Sequence, residues 1–274
     1  MRFLNWAYRK LNYFLFILTG KKPWIRGYDY YRRSEIERVL KRGGFDLEKL
    51  PGGYGYRLDE RIIEYPWLFS RLPLEGGNLL DAGSVLNHDF IFTHKAFSAK
   101  KIFVSTLAPE YRCLWRRGIS YVYEDLRKTC YKNELFDWVV CLSTLEHVGM
   151  DNTMLYTRDQ SKRENDPDAY LEVLKEFRRI LKPGGTLFVT VPFGQYHNHG
   201  WLQVFNPDKV MQMKSSFAPS SVKEYYFRYL SDGWHASSSR ESENATYFDI
   251  HQQKEYDEDY AAAARALVCL EMVK

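Results

Sequence analysis

Asp81 and Gly83 stand at the end of a short apolar run, Asn78 to Ser84 (NLLDAGS). Apolar residues running into a carboxylate and a small-residue turn, Ala82-Gly83-Ser84, give the pattern of a buried parallel strand that hands over to a helix. In an open α/β sheet, ligands lie outside the carboxyl ends of the strands near the topological switch point, so this turn is the expected cradle for a cofactor. A second acidic group ends another β-rich run, at Glu124-Asp125-Leu126. A third run, 136–142 (FDWVVCL), ends in Ser143 and then Glu146-His147. An imidazole at a cleft is suited to taking the proton of a hydroxyl, which names His147 as the candidate general base. A fourth stretch, 194–205 (GQYHNHGWLQVF), offers His197, Asn198, His199 and Trp201. Hydrogen-bonding groups beside a flat apolar face suit a sugar ring or another polyhydroxylated molecule. Each has a plainer reading. Asp81 or Asp125 caps the adjoining helix, Glu146-His147 is a surface pair, and the His/Asn/Trp loop turns without a ligand.

The elements that would position these groups alternate. Strands are expected at 78–82, 101–105, 119–123, 136–142 and 186–191, with helices at about 86–98, from Pro109, and from Pro167 to Leu181. The long helix has Asp166 before it and Lys182-Pro183-Gly184-Gly185 to stop it. Beyond Pro192 a helix starts after Asn206-Pro207, and Val222 to Leu230 and Ala266 to Val273 read as strands around a polar excursion, 237–260. Upstream, Leu58 to Leu72 has helical spacing interrupted by Pro66, and Ser34-Glu35-Ile36-Glu37 is a capped helix start running to Lys41.

With 274 residues, 45% of them hydrophobic, the chain can bury a full core. Thirty-nine Lys and Arg against thirty-five Asp and Glu, scattered along the chain, argue against a nucleic-acid partner. Cys113, Cys130, Cys141 and Cys269 lie far apart with no C-x-x-C pair, which fits a reducing cytoplasm. Leu11 to Leu18 (LNYFLFIL) is apolar but too short to span a bilayer. Arg2, Arg9, Lys10, Lys21 and Lys22 flank it, and Trp6, Tyr8, Tyr13, Phe14 and Phe16 suit an interface. Residues 1–22 are therefore either a membrane-surface contact or a helix packed on the domain or on a partner subunit, which leaves an oligomer open.

In order and spacing, these strand ends resemble the class I S-adenosylmethionine-dependent methyltransferases over roughly residues 58–274; FDWVVCLSTLEHVG and then LKPGGTLFVTVP is the most specific part. The resemblance implies an α/β fold with a doubly wound, mostly parallel seven-stranded sheet. It also implies a methyltransferase domain at 58–274, a helical extension at 1–57, and S-adenosyl-L-methionine as cofactor. It sets the methionine part against Asp81, Gly83 and Ser84, and the adenine amino group against Asp125 beside Leu126. Leu142 and Ser143 line the other wall.

Two departures stand out. Ser84-Val85-Leu86-Asn87-His88 replaces the usual glycine-rich loop, and Ser105-Thr106-Leu107 stands where an acid would hold the ribose, leaving Ser105 or Thr106 as a weaker hydroxyl partner. Related quinone-biosynthesis and small-RNA enzymes bind a metal through Glu-x-x-Glu-His; here the first Glu is Ser143, so no metal is expected. LDERIIEYPWL and LDAGSVLNH are similar to segments of methyltransferases associated with surface-polysaccharide and glycolipid assembly. The expected activity is methyl transfer to a small or lipid-linked acceptor, a sugar hydroxyl. The alternatives are a catalytically inactive methyltransferase-like binding or assembly subunit, and a nicotinamide-dependent oxidoreductase, which a turn with one glycine in place of G-x-G-x-x-G disfavours.

Overall fold

The computed structural model describes residues 2–157 and 159–274, with the side chains of residues 2–6 and 9 outside that description. The expectations placed on Arg2, Trp6 and Arg9 therefore lie outside the described residues. Five parallel strands form the centre: β1 (Gly77–Ala82), β2 (Lys100–Thr106), β3 (Ser120–Tyr123), β4 (Phe136–Leu142) and β5 (Leu181–Pro192). A two-stranded ribbon, β6 (His197–Asn198) with β7 (Gln203–Val204), comes next. β8 (Ser221–Leu230), β9 (Gly233–Ser237) and β10 (Ala266–Val273) complete an eight-stranded sheet of order β3-β2-β1-β4-β5-β10-β8-β9. β10 runs antiparallel between β5 and β8, and β9 pairs antiparallel with β8. The order reverses between β1 and β4, which is the switch point.

The sheet thus has eight strands rather than seven. The added one, β9, is a hairpin return whose Trp234 is buried and donates its Nε1–H to Leu58 O at 3.0 Å. A strand fastened to an upstream segment through one large side chain carries no alternation to read.

On one face lie α1 (Arg2–Leu18), α2 (Tyr28–Arg42) and α3 (Arg61–Arg71), sharing a core with Leu79, Val140, Leu142 and Phe188 of the sheet. The N-terminal segment is therefore packed into the same core, with Phe16, Tyr28, Tyr31 and Ile36 buried in it. α2 begins at Tyr28, earlier than Ser34, because Gly27 in left-handed conformation (φ 97°) sets the turn against Asn12 and Phe16. α3 is one helix despite Pro66: the amide missing at Pro66 would have bonded Ile62 O, and the Tyr54 hydroxyl bonds that carbonyl instead at 2.7 Å.

The helix expected at 86–98 is only α4 (Asp89–Phe92) and a 3₁₀ turn, Lys95–Phe97, and that expected from Pro109 is a 3₁₀ turn, Trp115–Arg117. Side chains organise this region instead. Asn87 donates to Arg112 O and accepts from the Tyr121 hydroxyl, which itself accepts from Leu114 N. The other face carries α6 (Tyr170–Ile180) and α7 (Pro207–Phe217), while the short α5 (Thr153–Tyr156) lies at the strand-end cavity. α6 buries Val173, Leu174 and Phe177 against the sheet, and α7 starts where Asn206 Oδ1 accepts from Lys209 N at 3.0 Å. A short α8 (Ser239–Ser242), held by a Ser238–Glu241 capping box, interrupts the polar excursion.

Candidate active site

The turn after β1 is pressed into place from two sides. Asp81 is fully buried, and its Oδ2 accepts from Leu86 N at 3.0 Å, closing the loop over the strand end. Gly83, at φ 107°, donates to Ser105 O at 2.8 Å, and Ser84 is also left-handed at φ 63°. A Cβ on Gly83 would lie 2.2 Å from Thr144 Oγ1, so only glycine lets the β1 and β4 turns meet. Burial pushes the Asp81 carboxyl up to about 8. Asp81 Oδ1 and Ser84 Oγ are buried with no hydrogen-bond partner among the described residues.

Outside this turn lies a cavity of about 490 Å³ along the carboxyl ends of the strands. Gly83, Thr106, Asp125, Leu126 and His147 line it, and the structure thereby brings together five of the nine sequence-derived site residues. Asp81 and Leu142 do not line it: both point into the face covered by α1 to α3, Leu142 as core and Asp81 as the anchor of the turn. Ser84 lies beneath the turn, 7% exposed.

Asp125 accepts from Arg127 N at 2.8 Å and grips the Arg127 guanidinium, which also holds Glu164 at 2.7 Å. Burial acts to raise its carboxyl, but the Arg127 hydrogen bonds outweigh this and hold it below the ordinary value. Ser105 does not face the cavity; it is buried and donates to Glu124 Oε1 at 2.7 Å. Glu124, the residue after β3, itself lines the cavity.

A second cavity, of about 330 Å³, opens on the other side of His147. Ser143 and Glu146 line it from the β4 turn, and Asp59, Glu60 and Arg61 from the start of α3. Ser143 is left-handed (φ 36°) and held three ways: its amide bonds Thr190 O and Oγ1, each at 3.0 Å, and its hydroxyl donates to Glu64 Oε1 at 2.6 Å. Fully buried Glu64 also accepts from Thr190 Oγ1 and Arg61. His147 Nδ1 donates to Trp201 O at 3.0 Å, which leaves Nε2 as the acceptor nitrogen. Burial, with Arg61 nearby, lowers the imidazole to about 4, so it is uncharged at neutral pH.

Of the loop after β5, Trp201 reaches this site: its ring is 5.2 Å from that of His147, and its Nε1 donates to Asp249 at 3.0 Å. His199 lines a neighbouring cavity, while His197 and Asn198 are exposed on the ribbon. Glu60, Glu64 and Arg127 were not singled out in the sequence; only Glu64, an acid between Ile63 and Tyr65, carried a signal there. Among the described residues no group of three or more His, Cys, Asp or Glu is arranged to hold a metal ion.

Residues 96–189 match the family profile described as a methyltransferase domain, from just before β2 to within β5. A demethylmenaquinone methyltransferase of Listeria welshimeri is 38% identical over 93 residues, covering 33% of this chain and 36% of that protein. The match therefore spans about a third of the relative's length. Among solved structures, the 1,6-didemethyltoxoflavin-N1-methyltransferase of Burkholderia thailandensis, with 1,6-didemethyltoxoflavin and S-adenosylhomocysteine bound, has a TM-score of 0.46 at 13% identity over 77% of each chain. The [4+2]-cyclase SpnF has 0.47 at 16% identity, over 88% of this chain and 92% of its own. The strand order and the antiparallel β10 give the Rossmann-like methyltransferase fold, and the segment at its centre, residues 96–189, is the part similar to the methyltransferase-domain profile.

Proposed function

We propose that this protein transfers a methyl group from S-adenosyl-L-methionine to a small acceptor. The observation that carries this is the pair of cavities meeting at His147, one along the strand ends at the switch point and one beneath the N-terminal helices. When bound, S-adenosylmethionine supplies an electrophilic methyl on a sulfonium centre. The residues fit it. Gly83 would give close backbone approach, while Asp81, buried on the opposite face, and Ser84, beneath the turn, would set the backbone on which the methionine part rests. Leu126 offers an apolar wall beside Asp125, whose remaining lone pairs accept from an exocyclic amine. Thr106 and Glu124 would hold the ribose hydroxyls, while Leu142 and Ser143 set the β4 turn that forms the opposite wall.

On the acceptor side, His147 Nε2 takes the proton of a hydroxyl while Trp201 O fixes the ring. The Trp201 face and the surrounding polar groups support a sugar hydroxyl as the acceptor, free or lipid-linked, as in surface-polysaccharide or glycolipid assembly. Residues 1–22 support peripheral membrane contact. Phe16 is buried, but Leu11, Phe14, Leu15 and Leu18 form an exposed stripe on α1 near Lys10, Lys21 and Lys22. No helix among the described residues is long and apolar enough to cross a membrane. Four free cysteines support a cytoplasmic setting.

Titration with S-adenosylhomocysteine, and then transfer of a labelled methyl group to candidate acceptors, tests the reading. Binding with turnover, lowered about a hundredfold in His147→Ala at unchanged cofactor affinity, supports it. Binding without any turnover would leave the catalytically inactive subunit, and absence of binding would reject both.

A further inference from the structure

The second cavity holds more acid than base. Arg32 pairs with Asp59, and Arg61 with Glu64, so both arginines are committed. Glu60 and Glu146 remain. They are 9% and 2% exposed, both line the cavity, and the Oε2 of each has no hydrogen-bond partner among the described residues. Trp24, Trp201 and Tyr247 supply aromatic faces around them. From this geometry we propose that the acceptor carries a protonated amine, which docks between Glu60 and Glu146 against those rings. The proposal rests on reading this cavity as the acceptor site.

A buried, unpaired carboxyl gains from a cation far more than from a neutral hydroxyl, because the Coulomb attraction acts in a low-dielectric surrounding. Burial holds both carboxyls above their ordinary range, Glu60 at about 8, with Asp59 and Glu64 adding repulsion at Glu60. An arriving ammonium reverses that balance. The aromatic faces favour an organic cation, which they attract through their ring quadrupoles. A hard metal ion would want several oxygen ligands. The described residues offer no cluster arranged for one.

The test titrates the full-length protein, alone and saturated with S-adenosylhomocysteine, with benzylammonium and with its neutral counterpart benzyl alcohol. Benzylammonium is expected to bind saturably and at least tenfold more tightly than the alcohol. Glu60→Gln and Glu146→Gln should each weaken it at least tenfold and leave S-adenosylhomocysteine affinity in place, which also reports that the variants fold. Equal binding of cation and alcohol, no binding of the cation, or cation binding that survives both substitutions overturns the proposal. Failure of S-adenosylhomocysteine to bind would instead count against the methyltransferase reading, and the cation titration of the protein alone would still decide this one.

Discussion

Gly83→Ala should damage both the fold and the cofactor site, and the structure says by how much. The added Cβ would stand 2.2 Å from Thr144 Oγ1, 2.5 Å from its Cγ2 and 2.9 Å from its Cβ, all inside contact distance. Overpacking of this kind costs typically about 1–3 kcal/mol. The backbone is at φ 107°, where an L-residue is strained by roughly a further 1–2 kcal/mol. For a chain of this size each kcal/mol lowers the melting temperature by roughly 2–4 °C, so a loss of about 4–20 °C is expected by differential scanning calorimetry. S-adenosylhomocysteine affinity should fall at least tenfold, since the displaced turn lines the cavity. Adding Thr144→Ala removes the two nearest contacts and should recover the overpacking share but not the backbone share. A Gly83→Ala protein that melts within a degree or two of the parent and keeps its affinity would refute the reasoning, because the two turns would then not be in contact.

Asp125→Asn keeps an oxygen for Arg127 N but loses the charge, so S-adenosylhomocysteine binding measured by calorimetry should weaken roughly tenfold with little change in melting temperature. A large thermal loss at unchanged affinity would make Asp125 purely structural. Phe14→Glu with Leu18→Glu should abolish binding to anionic phosphatidylserine vesicles in co-sedimentation, and salt should weaken the parent's binding. A parent protein that ignores such vesicles at low salt would end the membrane assignment. Glu60 and Asp81, both pushed up to about 8, hold protons in the folded state that the unfolded chain has released at neutral pH. The stability they contribute is full below their ordinary carboxyl range and is lost as pH rises through 8. His147 and His88, both lowered to about 4, act oppositely and remove stability as pH falls from about 6.5 toward 4. Melting scans should therefore show a decline from pH 6.5 to 8.5 that Glu60→Gln reduces; the same slope in the variant would exclude Glu60 as a source.

The parallel centre was legible because β1, β4 and the second half of β5 are buried on both faces and read as apolar runs that stop at polar turns. That Gly83, Thr106, Asp125, Leu126 and His147 line one cavity was legible because strand ends in one sheet share a rim. Strand pleat then separates neighbours that look equivalent in the sequence. Asp81 lies on the same face as Leu79, away from the cavity, while Ala82 belongs to the opposite core. The segments 86–98 and 109–118 were misread because Asn87 and Tyr121 fix them through side-chain bonds that local helical pattern does not encode. Glu60 and Glu146 were not legible as a pair, because what makes them chemically unusual is burial by segments far along the chain, around Tyr247 and Ala262.

Helix α3 ties the second cavity to the β4 turn. Glu60 lies next to the start of the helix and lines the acceptor cavity; Glu64, four positions on, faces the same direction and ties down Ser143, whose strained conformation shapes the β4 turn. Arg61 lies between them and bonds Glu64. A shift of this helix by even part of a turn would therefore release the β4 turn and change the charge presented to the acceptor at the same moment. A strained serine costs stability and persists only where its surroundings over-determine it, and here four hydrogen bonds do so: two donated by the Ser143 amide, one donated by its hydroxyl, and one from Thr190 to the same Glu64 carboxyl. The arrangement fits the proposed methyl transfer, in which rate depends on holding donor and acceptor in one line, because α3 lines the second cavity and fixes the β4 turn from which Thr144 and His147 reach the first.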